Sequence, residues 1–315
     1  MAVVVAALAC GGCEGKRDAG GVDAAKSASA IPVASARAIA PPDSGTGTGT
    51  GTGTSRERAM VICKVMASEG GPAASADATG WLDLADKASF TVRTLETGRE
   101  LRFEGPGRIR ACADDVALVA GGSAVGLPGS GEAPGAEQWV ATACGAARWA
   151  SGVHRFTGAR DACRMQSLQG SAHLYLAEDV AAEDVAVDGG APLAGDGGPT
   201  LTTESGAASS PWRRIDARRA IRLQGHGNLD TPAAVKSALL GCERSAQAVQ
   251  RIAVAMTGGD AGSGSVGELA AGSVMARGVA RAACSVAAVR IALAGSKAPD
   301  QARLAAANSS WRSPR

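Results

Sequence analysis

The sequence predicts a mainly β protein, a roll or sandwich of short strands, followed by an antiparallel α-helical hairpin. Three observations carry this expectation. Between residues 59 and 228, apolar and polar side chains alternate with a period near two, in short runs separated by turn residues. From residue 231 the period changes to that of a helix. Before residue 59 neither period is present.

The strands are read from their alternation. Phe90 and Val92 alternate with Thr91 and Arg93, and Leu101 and Phe103 with Arg102 and Glu104. Ile109 and Ala111 alternate with Arg108 and Arg110, Leu174 and Leu176 with His173 and Tyr175, and Ile221 and Leu223 flank Arg222. Gly105-Pro106-Gly107 and Thr97-Gly98 supply turns. About a dozen strands at this spacing make a sandwich, a barrel or a stacked roll. Residues 188–211 are rich in Gly, Ser and Pro without period, and read as a loop inserted before a last strand from Trp212 to Leu223.

The helical part spans 229–295. Val235, Leu239, Cys242, Ala246, Val249, Ala253 and Met256 recur at alternating spacings of four and three, one face of a helix. Thr231-Pro232 supplies an N-cap and a proline at the first helical position. After a Gly-rich turn from Gly258 to Gly264, Ser265 and Glu268 form a capping box for a second helix reaching Ala294. Its stripe is small: Ala276, Ala280, Ala283, Ala287, then Ile291. Small side chains let two helices approach closely, hence the hairpin. Packing of these helices on each other or on the β body is expected. Residues 296–315 are polar and are expected to be disordered.

The first thirteen residues, MAVVVAALACGGC, hold an apolar run that ends at Ala7-Leu8-Ala9-Cys10. This resembles the lipobox of bacterial lipoproteins, which implies lipidation of Cys10 and a membrane attachment through that lipid. The Leu stands one place nearer the cysteine than in that motif, and no Lys or Arg precedes the run. A true start upstream of Met1 is therefore expected. The run is shorter than the roughly 20 residues needed to cross a bilayer. Residues 14–58, with a Gly-Thr repeat from Gly45 to Thr54, cannot offset their ordering entropy by burial. They read as a disordered tether whose reach as a coil is about 35–40 Å.

Composition narrows the function classes. A net charge of +2 over 315 residues gives no nucleic-acid footprint. Aromatic residues make up 3%, so the core must be built from small aliphatic side chains and needs other support. Eight cysteines fit an oxidising compartment. With Cys10 lipidated and Cys13 in the tether, Cys63, Cys112, Cys144, Cys163, Cys242 and Cys284 remain as disulfide candidates. Fifteen pairings are open. Cys242 and Cys284 stand nearly level across the hairpin, Cys144 and Cys163 flank a two-strand excursion, and Cys63 is left with Cys112. Each loop closed is worth about 3–4 kcal/mol through the unfolded state.

The strand order is similar to that of the FecR domain. Gly80-Trp81-Leu82, and then Val92 through Thr97-Gly98-Arg99, resemble its opening strand and Thr-Gly turn. Trp139-Val140-Ala141-Thr142-Ala143-Cys144-Gly145 resembles its v-x-T-P-x-G strand, with Ala143 in place of the proline. Leu168-Gln169-Gly170-Ser171-Ala172-His173-Leu174-Tyr175 resembles a later v-x-x-G-x-V-x-V strand. Ala150-Ser151-Gly152 stands where the family commonly has Gly-Thr. The resemblance covers residues 80–224 and implies a periplasmic β domain. In that family the domain relays the occupancy of an outer-membrane receptor.

No motif points to catalysis, a cofactor or a metal. Gly262-Ser263-Gly264-Ser265-Val266-Gly267 has dinucleotide-loop spacing but follows a helix instead of a strand. Cys10-x-x-Cys13 has no second pair. His154, His173 and His226 lie apart in sequence, Asp114-Asp115 and Glu183-Asp184 alternate across strands, and His173 with Tyr175 reads as a surface face. Arg213, Arg214, Arg218, Arg219 and Arg222 read as a solvated edge that discourages strand addition. The expected function is a non-enzymatic binding or scaffold module of the cell envelope, with an envelope protein or a cell-wall polymer as partner. The alternative is a sensor or regulator.

Overall fold

The computed structural model describes residues 63–69, 80–94, 98–111, 116–127, 137–185, 211–257, 265–296 and 298–312. The expected lipid site Cys10, the tether 14–58 and the inserted loop expected at 188–211, except its last residue, lie outside them.

The described strands form two sheets. The first runs in the order β1 (Cys63–Glu69), β3 (Ser89–Thr94), β4 (Glu100–Glu104), β7 (Gly122–Leu127), β10 (Val153–Gly158), β11 (Ala162–Gln169), β15 (Arg219–Gly225), β13 (Val180–Val185). The second runs in the order β14 (Trp212–Ile215), β12 (Ala172–Leu176), β9 (Gly145–Trp149), β8 (Gln138–Ala141), β6 (Val116–Ala120), β5 (Gly107–Arg110), β2 (Leu82–Leu84). Pairing is antiparallel throughout except between β6 and β8, which are parallel. The chain passes repeatedly from one sheet to the other. β3 and β4 lie in the first, β5 and β6 in the second, β7 in the first, β8 and β9 in the second, β10 and β11 in the first. The expected single strand from Trp212 to Leu223 is two strands, because the turn at Asp216–Arg218, with Arg218 at φ 62°, carries the chain from β14 in one sheet to β15 in the other.

Burial patterns show which sheet is in the middle. β4 and β10 of the first sheet alternate between buried and accessible side chains, so one face meets solvent. Its accessible side carries mixed charge, with Arg93 paired to Glu100 and both Arg102 and Arg155 within 3.5 Å of Glu104. β6 and β8 of the second sheet are buried at every position. Val119, Val140, Ala147 and Leu174 fill one side. Leu118, Ala141, Ala146 and Tyr175 lie on the other, which a helix covers.

That helix is α2 (Ser265–Leu293), packed across β6, β8, β9 and β12 and against α1 (Pro232–Thr257). Thr231 caps α1 as expected: its Oγ1 accepts the Ala234 N–H at 3.2 Å. The α1 stripe is buried from Val235 to Val249, while Ala253 is half-buried and Met256 exposed. In α2 the described side chains before Ala280 are never fully buried, whereas most of those from Ala280 to Ile291 are. The two helices thus pack on each other and on the sheet, and their turn-proximal ends leave Val254, Met256, Val274 and Met275 in solvent.

The expected disordered tail requires correction. Residues 298–312 form a third helix, α3 (Ala298–Arg312), packed on α1 and α2. Polar contacts and a short stripe of Leu304, Ala307 and Trp311 fix it. The Arg303 guanidinium donates to both Glu243 carboxylate oxygens at 3.0 Å, Ser296 donates to Asp300 in the first turn, and Trp311 is buried.

Two expected disulfides are present, Cys144–Cys163 and Cys242–Cys284, with Cα separations of 6.1 and 4.5 Å. The first closes the β9–β10 excursion and the second ties α1 to α2. Cys63 begins β1, its side chain lies outside what is described, and so does Cys112.

One side chain joins these parts. Arg290, in the last turn of α2, is fully buried. It donates to both Asp179 carboxylate oxygens at 2.7 Å, to the Ala143 carbonyl at 2.8 Å and to the Ala234 carbonyl at 3.0 Å. Asp179 lies in the β12–β13 turn, Ala143 in the β8–β9 turn and Ala234 in the first turn of α1. Burial pushes the Asp179 carboxyl up, but the hydrogen bonds and charge of Arg290 outweigh it and hold the group below the usual carboxylate range.

Replacing both Cys242 and Cys284 with Ala should lower the unfolding free energy by about 3–4 kcal/mol in urea titration without changing the far-UV spectrum. An unchanged midpoint would show that helix packing alone holds the hairpin.

Candidate functional site: an arginine–tryptophan face on the second sheet

Strand register assembles the site from four strands. Trp139 of β8 pairs with Arg148 of β9, Arg148 with His173 of β12, and His173 with Arg214 of β14. One step along, Ala141, Ala146, Tyr175 and Trp212 form the next row on the same face, since residues two apart point the same way. α2 covers the inner part of this face: a Cβ added to Gly278 would sit 3.7 Å from Trp139 and 3.9 Å from Trp212. The row toward β14 remains accessible, with Arg214 on the sheet edge.

The rings and guanidinium groups stack. Trp139 and Trp212 meet edge to face at 5.5 Å, and Tyr175 lies 5.8 Å from Trp212. The Arg148 guanidinium lies 4.6 Å from the Trp212 ring centre and 5.6 Å from that of Trp139, and Arg281 of α2 covers Trp139 at 5.1 Å. Arg148 Nη1 also donates to both Glu137 carboxylate oxygens at 3.2 Å. Arg214 Nε donates to Asp216 at 3.0 Å. The stack restricts the rotamers of Arg148, so its charge is held in place before any partner arrives. The His173 imidazole lies below its usual pKa, first because of burial and then because of Arg148 and Arg214, with Glu137 opposing.

The structure separates the residues singled out by the sequence. His173 and Tyr175 share a face as expected, but α2 buries Tyr175, so for this residue the surface reading is corrected. Burial, with Glu178 adding, pushes its phenol up to about 12. The phenol borders a crevice between α1, α2 and the β12–β13 turn, beside the Glu178–Arg244 ion pair at 2.6 Å. At 10 Å³ this crevice has room for about one water. Of the basic run, Arg213 and Arg214 lie on edge strand β14 as expected, whereas Arg219 and Arg222 lie on β15, inside the first sheet. Glu183 and Asp184 lie on consecutive positions of β13, and Asp114-Asp115 and residues 262–264 lie outside the described residues, while residues 265–267 begin α2. Among the described residues no three His, Cys, Asp or Glu side chains form a metal-binding group. No described helix is long and apolar enough to cross a membrane.

His154 and His226 belong elsewhere. His226 donates its backbone N–H to the Asp179 carbonyl at 3.2 Å. His154 is enclosed between the sheets, its ring 5.0 Å from Trp149. Its Nε2–H donates to the Ser151 carbonyl at 2.9 Å, which leaves Nδ1 buried without a hydrogen-bond partner. Arg99, also buried, donates to the Trp149 carbonyl at 3.0 Å. Close approach requires glycine at two places here. A Cβ on Gly126 would meet the Trp149 ring at 2.5 Å, and one on Gly152, at φ 101°, would meet the Gln169 carbonyl at 2.0 Å. Burial lowers the His154 pKa, the Ser151 bond opposes this, and the Arg99 charge adds to the lowering.

A lowered folded-state pKa means that the unfolded chain binds more protons below its own value of about 6.5. The stability His154 gives is therefore complete above that pH and is lost as pH falls toward the folded-state value. In urea titrations between pH 7.5 and 5, His154→Gln should show a shallower decline than the native chain; parallel declines would refute the assignment.

No protein family, curated protein or solved structure matches this chain in comparisons of sequence, family and fold.

Proposed function

We propose that this chain is a non-enzymatic binding or scaffold module of the bacterial cell envelope, tethered to a membrane through a lipid on Cys10. The observation that carries the binding part is the stacked Arg148–Trp139–Trp212 face: charged groups held rigidly beside a sheet edge. Two disulfides in the described body support an oxidising compartment. The three histidines occupy three separate environments, and His154 donates to the carbonyl of Ser151 instead of meeting its hydroxyl. The expected partner is an envelope protein or a cell-wall polymer.

The FecR-like strand order favours a second reading, an envelope sensor that reports a receptor's state. That role needs a protein partner, for which the exposed Val254, Met256, Val274 and Met275 at the hairpin end offer apolar contacts.

Palmitate labelling tests the first reading. The chain, expressed behind a complete lipoprotein signal, should take up label and sediment with membranes, and Cys10→Ser should abolish both. An unlabelled chain that fractionates with the cytosol, with Cys144, Cys163, Cys242 and Cys284 as free thiols, would contradict it.

A further inference from the structure

His173 stands between two cations with no bond of its own. Its strand neighbours in register are Arg148 on one side and Arg214 on the other. Strands lie about 4.8 Å apart, so the two arginine backbones are about 10 Å apart across the imidazole. Among the described residues the His173 imidazole has no hydrogen-bond partner. Two like charges flanking an imidazole oppose its protonation. An anion over His173 removes that conflict.

Both guanidinium groups keep hydrogen-bond donors that no described residue accepts. Glu137 takes Nη1 of Arg148 and Asp216 takes Nε of Arg214. No described residue accepts from Nη2 of Arg148 or from either Nη of Arg214. The Arg214 side chain is 66% exposed, and that of Arg148 is 25% exposed. Guanidinium edges bind carboxylate and phosphate oxygens in bidentate fashion. Half-buried Trp212, two residues from Arg214 on the same strand face, adds a ring beside the charges. The site is too small in charge for nucleic acid, which requires about 6–10 phosphate contacts for a strong footprint.

The geometry points to an oxyanion site centred on His173 and bracketed by Arg148 and Arg214, which takes the carboxylate or phosphate groups of an acidic polysaccharide running along the β14 edge. This rests on the binding-module reading and gives its partner a chemistry. Binding and protonation are then linked. The bound anion offsets the charges of Arg148 and Arg214, Glu137 already acts in the same direction, and Arg281 over Trp139 acts against it. His173 gains a proton more readily in the complex, so affinity rises as pH falls through the imidazole range.

The test follows His173 by NMR in the full chain during titration with polygalacturonate, inorganic phosphate and uncharged dextran, at pH 8 and pH 6. Polygalacturonate should shift the His173 resonances, raise its pKa and bind more tightly at pH 6, with dextran silent. Arg214→Gln, a change on an exposed side chain, should weaken binding about five- to tenfold, in line with a lost charge-assisted hydrogen bond. Phosphate that moves His173 while polygalacturonate does not would overturn the polysaccharide assignment. Polygalacturonate that binds with His173 unmoved, or equally to Arg214→Gln, would overturn the site while leaving the binding-module reading standing. Silence of all three probes would overturn the site, and membrane labelling through Cys10 would then decide the broader reading separately.

Discussion

The position of the helical layer depends on a single desolvated cation. Arg290 has no contact with solvent, and an unpaired guanidinium in such a place would cost several kcal/mol. Its hydrogen bonds to Asp179, Ala143 and Ala234 offset that cost only if α2, the first turn of α1 and two sheet turns are all in place at once. The interaction is therefore conditional: it specifies an arrangement more than it adds stability. The β8–β9 and β12–β13 turns that Arg290 grips belong to the strands carrying Trp139, Arg148, His173 and Tyr175. The register of the arginine–tryptophan face and the seat of α2 are thus held by the same contacts. The Cys144–Cys163 bond begins in the same turn, where the Cys144 carbonyl also accepts the Ala177 N–H at 3.1 Å.

Scarcity of aromatic residues shapes the remainder. Alanine on the helix-facing side of the second sheet, at Ala141 and Ala146, meets a helix lined by Ala280, Ala283 and Ala287 toward its partner. Each such contact buries little area, and close approach has to make up for it through dispersion. Large side chains are concentrated where shape matters. Phe103 and Phe156 fill the space between the sheets, Trp149 packs there against His154, and Trp139, Trp212 and Tyr175 build the arginine-bearing face. An edge position for β14 adds a constraint, because an apolar edge invites strand addition. Exposed Arg213 and Arg214 discourage that, and Arg214 also adds its charge to the arginine–tryptophan face.

Local features were readable in the sequence. The stripe from Val235 to Val249, the Thr231 cap and the alternation through Leu101–Phe103 and Ile221–Leu223 each express a period that a single element imposes on its own residues. Cys242–Cys284 and Cys144–Cys163 were readable because short-range geometry brings each pair together. Non-local features were not. The parallel β6–β8 pair and the row Trp139–Arg148–His173–Arg214 follow from register, which a one-residue slip would undo and which no single segment encodes. α3 was hidden by its polarity, since its buried stripe is short, Leu304, Ala307 and Trp311, and is supplemented by the Arg303–Glu243 pair. Arg290 left one visible trace, a lone charge within the apolar run from Ala282 to Leu293, and such a charge inside a buried stripe calls for a partner.

Native-state hydrogen exchange on the native chain and on Arg290→Met tests the central claim most directly. If Arg290 sets the helical layer on the sheet, protection should fall by at least about tenfold over residues 280–293 and at the turns 142–145 and 177–180, with β10 and β11 unaffected. Equal protection in both chains, or a uniform loss across the whole body, would contradict a local clamp.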